Sequence, residues 1–142
     1  MGWSTEGLSC EESDMKTVLI KVGNLIARGA RNSGYTTIVL NDCWMADERT
    51  PEGHLTHDTE RFPRGLKAVS DALKNNGFEL GIALSAGSKT CDNNKPGSLG
   101  FEQQDAEDMH AWGVKYLMYE DCGDESIDKN VRFGAMKDAI DR

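Results

Sequence analysis

The chain has 142 residues, 28% of them charged and 38% hydrophobic, and a formal net charge of -8. That describes one folded domain, 1–142, large enough to bury a core and too apolar to stay disordered. The acidic balance repels phosphate backbones and anionic headgroups, which argues against nucleic acid and membrane as partners, and no apolar run approaches the roughly 20 residues that cross a bilayer.

Met1 to Ser4 predict a short first strand. The opening "MGWSTEGLSCEESD" shows neither a basic region nor an apolar one, so no signal peptide is visible. Ser9 and Glu12 have the S-x-x-E spacing of a capping box. Behind them Met15, Val18, Leu19, Val22, Leu25 and Ile26 share one helical face. Three later stretches follow one plan: "NSGYTTIVLND", "NNGFELGIALS" and "AWGVKYLMYED". Each has a glycine (Gly34, Gly77 or Gly113) where a helix would end in a left-handed residue, then an almost unbroken apolar run. Such runs suit strands buried on both faces, as in a parallel sheet. Between them, Pro63 predicts the start of a helix with Leu66, Val69, Ala72 and Leu73 inward. Further helices are expected over 102–112 and 128–140.

The result is βα repetition with a parallel sheet. A (β/α)8 barrel needs about 250 residues, so length favours an open doubly wound sheet. Gly81 inside the third strand and the long loops over 43–62 and 85–99 favour the barrel. Both architectures place a site at the carboxyl ends of the strands. Cys10 and Cys43 follow the first two strands, Cys91 and Cys122 the last two. Loops at one sheet end bring these pairs together, which predicts Cys10–Cys43 and Cys91–Cys122; four reduced, buried thiols are the alternative. No CxxC pair, GxGxxG or phosphate-binding loop occurs, so neither a metal nor a cofactor is expected. His54 and His57 read as a solvated loop, "DERTPEG" as a charged turn, Trp112 as core, and Trp44 as either core or pocket wall.

"MGW" (1–3), "NDCW" (41–44), "DTERFPRGLKAVSDALKNNGFELGI" (58–82), "AGSKTC" (86–91), "PGSLGFEQQDAEDMHAWGVKYL" (96–117) and "DC" (121–122) together carry a resemblance. In that order they resemble the α-galactosidases and α-N-acetylgalactosaminidases of glycoside hydrolase family 27, across essentially the whole chain. The resemblance implies the first four units of a (β/α)8 barrel and disulfides that match the two pairs above. It also implies retaining hydrolysis of a terminal α-linked galactose, in which one Asp attacks the sugar and a second serves as acid and base. A carbohydrate is therefore the expected ligand. Secretion or a lysosomal location is what the family and its disulfides imply, although no leader is visible.

Several pocket positions depart from the family. The nucleophile's motif is lysine-aromatic-aspartate, and here it reads Met118-Tyr119-Glu120. Of two acids that grip sugar hydroxyls, the first is Asn41 and the second is Asp42. A tyrosine and an aspartate on the third strand are Ala83 and Ser85. Trp3 is kept, but the second aromatic of that motif has no counterpart. The resemblance thus points to Glu120 as the catalytic position, with Trp3, Asn41, Asp42 and Met118 around the substrate. Lengthening Asp to Glu moves the carboxylate about 1 Å, a shift that can cost roughly 100-fold in rate. The family's acid/base lies beyond the fourth unit, so unaided turnover by this chain is not expected. Half a barrel leaves two strand edges open. A fragment of a larger enzyme, pairing with a second half or with its own copy, or an open sandwich would each answer that.

Overall fold

The computed structural model describes residues 1–123 and 126–142. Strands and helices alternate: β1 (Gly2–Ser4), α1 (Met15–Ala27), β2 (Thr37–Leu40), α2 (Gly65–Asn75), β3 (Glu79–Ser85), α3 (Glu102–Trp112), β4 (Tyr116–Glu120) and α4 (Lys129–Ile140). The four strands lie in sequence order, each parallel to the next. A doubly wound sheet reverses its strand order part-way; this one does not.

The register sorts the side chains into two rows. Ile38 sits beside Leu80, Leu40 beside Ile82, Ile82 beside Leu117, and Leu84 beside Tyr119. This row packs against Val18 and Val22 of α1, Leu66, Val69 and Leu73 of α2, Met109 of α3 and Met136 of α4. All four helices therefore share one core on one face of the sheet. The alternate row holds Val39, Gly81 and Tyr116, then Ala83 and Met118, then Ser85 and Glu120. A (β/α)8 barrel keeps its helices outside and its alternate strand residues inside, so this second row is the inner face.

Gly81 suits that inner position. A Cβ there would come within 3.0 Å of a Val39 methyl and 3.2 Å of the Tyr116 side chain. A curved sheet crowds its concave face, and glycine relieves the crowding.

Helix boundaries show where local signals yield to tertiary ties. Ser9 and Glu12 do make their paired contact, Ser9 N donating to Glu12 Oε2 at 3.1 Å. That pair closes a turn in the loop, because Cys10 is tied to Cys43 and Ser13 to Asn41 immediately after it. The helix starts later, where Asp14 accepts from Thr17 N at 2.7 Å. Pro63 likewise stands two residues ahead of α2. Gly34 takes its left-handed conformation at the end of a 3-10 turn, Arg31–Ser33, while Gly113 caps α3 directly.

One open reading is decided by the structure and another is corrected. Trp44 is fully buried and meets Trp112 edge-on, with ring centroids 5.5 Å apart, so it is core and not pocket wall. "DERTPEG" is more than a charged turn. Its Arg49 donates to both oxygens of the fully buried Asp105 of α3, each at 2.7 Å. The same guanidinium donates to the carbonyls of Gly53 and Gly97 and lies 4.1 Å from the Phe101 ring centre. One side chain thereby joins the loop after β2, the loop after β3 and the start of α3.

Candidate functional site at the strand ends

The carboxyl ends of the four strands form a rim whose loops are bound pairwise. Cys10–Cys43 joins the loops after β1 and β2, and Cys91–Cys122 joins those after β3 and β4. The Cα atoms of each pair are 5.0 and 5.2 Å apart, inside the usual disulfide range.

Side chains bind the same rim. Asn41, at the end of β2, accepts from Ser13 Oγ at 3.2 Å and Cys43 N at 3.3 Å. Its amide donates to the Thr5 carbonyl at 3.2 Å. Asn41 is therefore a clasp between β2 and the loop after β1. Asp42 accepts from Thr90 Oγ1, from Asn93 N at 2.9 Å and from Asn93 Nδ2. Both its oxygens are engaged by the loop after β3, and the residue is buried. Ser85 donates to the Cys122 carbonyl at 2.9 Å and accepts from Gly87 N at 3.1 Å, which ties β3 to the end of β4. Asp121 pairs with Arg132 of α4 at 2.7 Å.

Glu120 stands apart. It is half-buried on the inner face beside Ser85, and Met118 lies on the same face beside Ala83. No hydrogen bond engages its carboxylate among the described residues. Burial pushes its pKa up, and the negative charges of Asp92, Asp42 and Glu6 push it further. Among the described residues no cation offsets these, and the residue two places before it is a methionine. Trp3 is not part of this face. It belongs to the row alongside Ile38 and packs toward the helices, with Lys21 Nζ 5.0 Å from its ring centre. Strand alternation sends Trp3 and Glu120 to opposite sides of the sheet. Of the five residues singled out from the sequence, the structure gathers Asn41, Asp42, Met118 and Glu120 at the rim and leaves Trp3 outside it.

Thr90, Asn93, Ser85 and Asp92 shape the rim without having been singled out as binding groups. Ser85 stands at a position where the family has an aspartate and Thr90 lies within the AGSKTC stretch, while Asp92 and Asn93 are marked only by their place in the long loop after β3. Among the described residues no group of three or more His, Cys, Asp or Glu side chains is placed to hold a metal. His54 pairs with Asp108 at 3.0 Å, and His57 lies over Gly65.

The unpaired carboxylate has a thermodynamic consequence. The folded pKa of Glu120 lies above its unfolded value, so ionising it costs stability at any pH above the folded pKa. That cost falls away as pH drops through the folded pKa. Glu120→Gln is therefore expected to raise stability at pH 7 by about 0.5 kcal/mol, a small gain because solvent screens the half-buried group. The gain should shrink as pH falls to about 4, close to the ordinary glutamate pKa, where most of the group is protonated in both states. Urea midpoints at the two pH values test this; a variant less stable than the parent at pH 7 would refute it.

With the geometry established, similarity to known proteins adds a family and a length. A family described as "Alpha galactosidase A" matches residues 8–142. An α-galactosidase of Coffea arabica is 36% identical over 140 residues, covering 99% of this chain and 37% of that protein. One of Cyamopsis tetragonoloba is 35% identical over 141 residues, covering 99% and 34%. The crystal structure of α-galactosidase I from Mortierella vinacea superposes with a TM-score of 0.94 at 33% identity, covering 99% of this chain and 36% of that one. The chain thus spans about a third of the length of the curated relatives it matches.

Proposed function

Since the chain belongs to the family described as Alpha galactosidase A, we propose that it forms one side of a site for α-galactosides, with Glu120 in the role of its reactive acid and no turnover by this chain unaided. The relatives named above are α-galactosidases, and the resemblance carries their retaining chemistry to the end of β4. Such chemistry needs two free carboxyls about 5–5.5 Å apart, one to attack the sugar and one to move the proton.

One observation carries the reading. Of the three acids at the ends of β2 and β4, Asp42 is engaged by Thr90 and Asn93, Asp121 is paired with Arg132, and only Glu120 remains uncommitted. One free carboxyl is half of the pair. Burial and the nearby negative charges raise its pKa, which makes it a readier proton acceptor than an ordinary glutamate.

The test is an assay of the purified chain with a chromogenic α-galactoside, beside Glu120→Ala. Neither protein is expected to release chromophore above the blank. Release abolished by Glu120→Ala would overturn the claim that the chain needs a second side. Release that survives Glu120→Ala would remove Glu120 from the chemistry altogether.

A second reading, a non-catalytic relative that binds carbohydrate weakly or serves as a scaffold, draws on a different observation. Asn41 and Asp42 spend their side chains on Ser13, Thr5, Thr90 and Asn93, which leaves few groups to read sugar hydroxyls. Titration calorimetry with galactose separates the two: tight binding would rule out the scaffold.

A further inference from the structure

Asp42 is a buried acid with an exposed cover. Its Oδ2 accepts from Thr90 Oγ1 and from the backbone N of Asn93, the latter at 2.9 Å. Among the described residues its Oδ1 accepts from one group, the side-chain amide of Asn93. Asp42 is buried, while Asn93 is exposed, as are Cys91, Asp92 and Asn94 around it. The same amide lies 3.5 Å from Cys43 Sγ, so one side chain reaches two successive residues past the end of β2.

The tip that carries this cover is held independently of it. Thr90 N donates to the Lys95 carbonyl and Lys95 N donates back to Thr90 Oγ1, each at 2.9 Å. Lys89 and Pro96 form an antiparallel bridge one residue further out on each side, and Cys91 is bound to Cys122. Asn94 turns the chain in the left-handed region, φ 54°, as no other non-glycine does among the described residues; asparagine tolerates that conformation better than most. The Asn93 side chain therefore does nothing for the tip that its backbone does not. An alanine at 93 keeps the backbone bond to Oδ2 and uncovers Oδ1 alone.

We propose that Asn93 is a plug: its amide takes, on Asp42 Oδ1, the place of a hydroxyl from a neutral polyhydroxy ligand, and the ligand binds when the side chain swings out. An amide N–H and a hydroxyl O–H are alternative donors to one carboxylate oxygen. The two cannot occupy it together along the same direction, so plug and ligand compete. Asp42, Asp92, Glu120 and Glu6 place negative charge around this end of the sheet, which rejects an anionic ligand and suits one rich in donors. The inference rests on the reading of the rim as an α-galactoside site and adds a control on it. A position that is open for only a fraction of the time weakens apparent binding by that fraction. A plug that is open a tenth of the time or less therefore lowers affinity tenfold or more.

The 142-residue chain with its disulfides oxidised and its Asn93→Ala variant are each titrated with methyl α-galactoside. The side-chain carboxyl carbons of Asp42 and Glu120 are followed by NMR, and the backbone amide spectrum shows whether the variant keeps the fold. Position 93 is exposed, so the fold should be kept. The Asp42 signal is expected to move in the variant, with an apparent dissociation constant lower than the parent's by roughly tenfold or more. Equal affinity in the two proteins, with Glu120 moving in both, would overturn the plug and leave the site reading standing. Movement of Asp42 in the variant with Glu120 still in both would support the plug and take Glu120 out of the site. No movement of either signal in either protein would overturn the plug and the site reading together.

Discussion

Arg49→Ala is expected to destabilise the fold by about 3–5 kcal/mol, the range measured when one partner of a buried ion pair is removed. For a domain of this size that is a fall in melting temperature of roughly 10–15 °C. The size follows from what is left behind. Asp105 is fully buried, and both its oxygens take hydrogen bonds from Arg49 at 2.7 Å. Burial already holds its carboxyl above the ordinary pKa, in spite of Arg49. Without the guanidinium, the pKa rises further and the ionised form becomes costlier. The loss in Arg49→Ala is therefore expected to be larger at pH 7 than at pH 4, where Asp105 of the variant protonates. Asp105→Asn in the Arg49→Ala background should recover part of the stability, because it removes the unpaired charge. Arg49→Lys should fall between, since one ammonium cannot reach two carboxylate oxygens and two carbonyls in a fixed plane. Denaturant titration of the four proteins checks this. A loss under about 1 kcal/mol for Arg49→Ala would mean that the clasp contributes no more than an exposed ion pair.

That clasp also marks the boundary of what the sequence discloses. Elements written in local periodicity were legible: α3 spans Glu102–Trp112, as its spacing predicts, and α4 ends at Ile140. The cysteine pairs were legible once the strands were, because parallel neighbours bring successive loops together. Arg49 and Asp105 are 56 residues apart and belong to no repeat. Nothing in "DERTPEG" announces a partner, so the stretch reads as solvated. Asn41 and Asp42 pose the opposite difficulty. The resemblance marks them as sugar-binding positions, while the groups that engage them, Ser13, Thr90 and Asn93, are ordinary loop residues. Trp3 shows the limit of a motif. The motif fixes the residue type, but alternation along β1 fixes the side it faces, and in a three-residue strand one position decides that.

The Cys91–Cys122 bridge offers a result that joins stability to the site. It closes a sequence separation of 31, and Cys10–Cys43 closes one of 33. The chain-entropy relation gives each about 3–4 kcal/mol, because the dependence on loop length is logarithmic. Cys91→Ala with Cys122→Ala and Cys10→Ala with Cys43→Ala are thus expected to cost nearly the same in denaturant titrations. They should differ at Glu120. The first bridge anchors the loop that carries Thr90, Asp92 and Asn93, and after burial Asp92 has the largest effect of the charges that raise the Glu120 pKa. Freed at Cys91, that loop moves its charge and its cover away from Glu120, and the carboxyl should titrate lower than in the parent. Removing the second bridge leaves Asp92 in place and loosens only the segment near Glu6, the last of the contributing charges. A side-chain carboxyl titration by NMR reads this directly. Equal downward movement in both double variants would mean that burial by the strands alone sets the Glu120 pKa, and that the loop after β3 does not govern the acid at the rim.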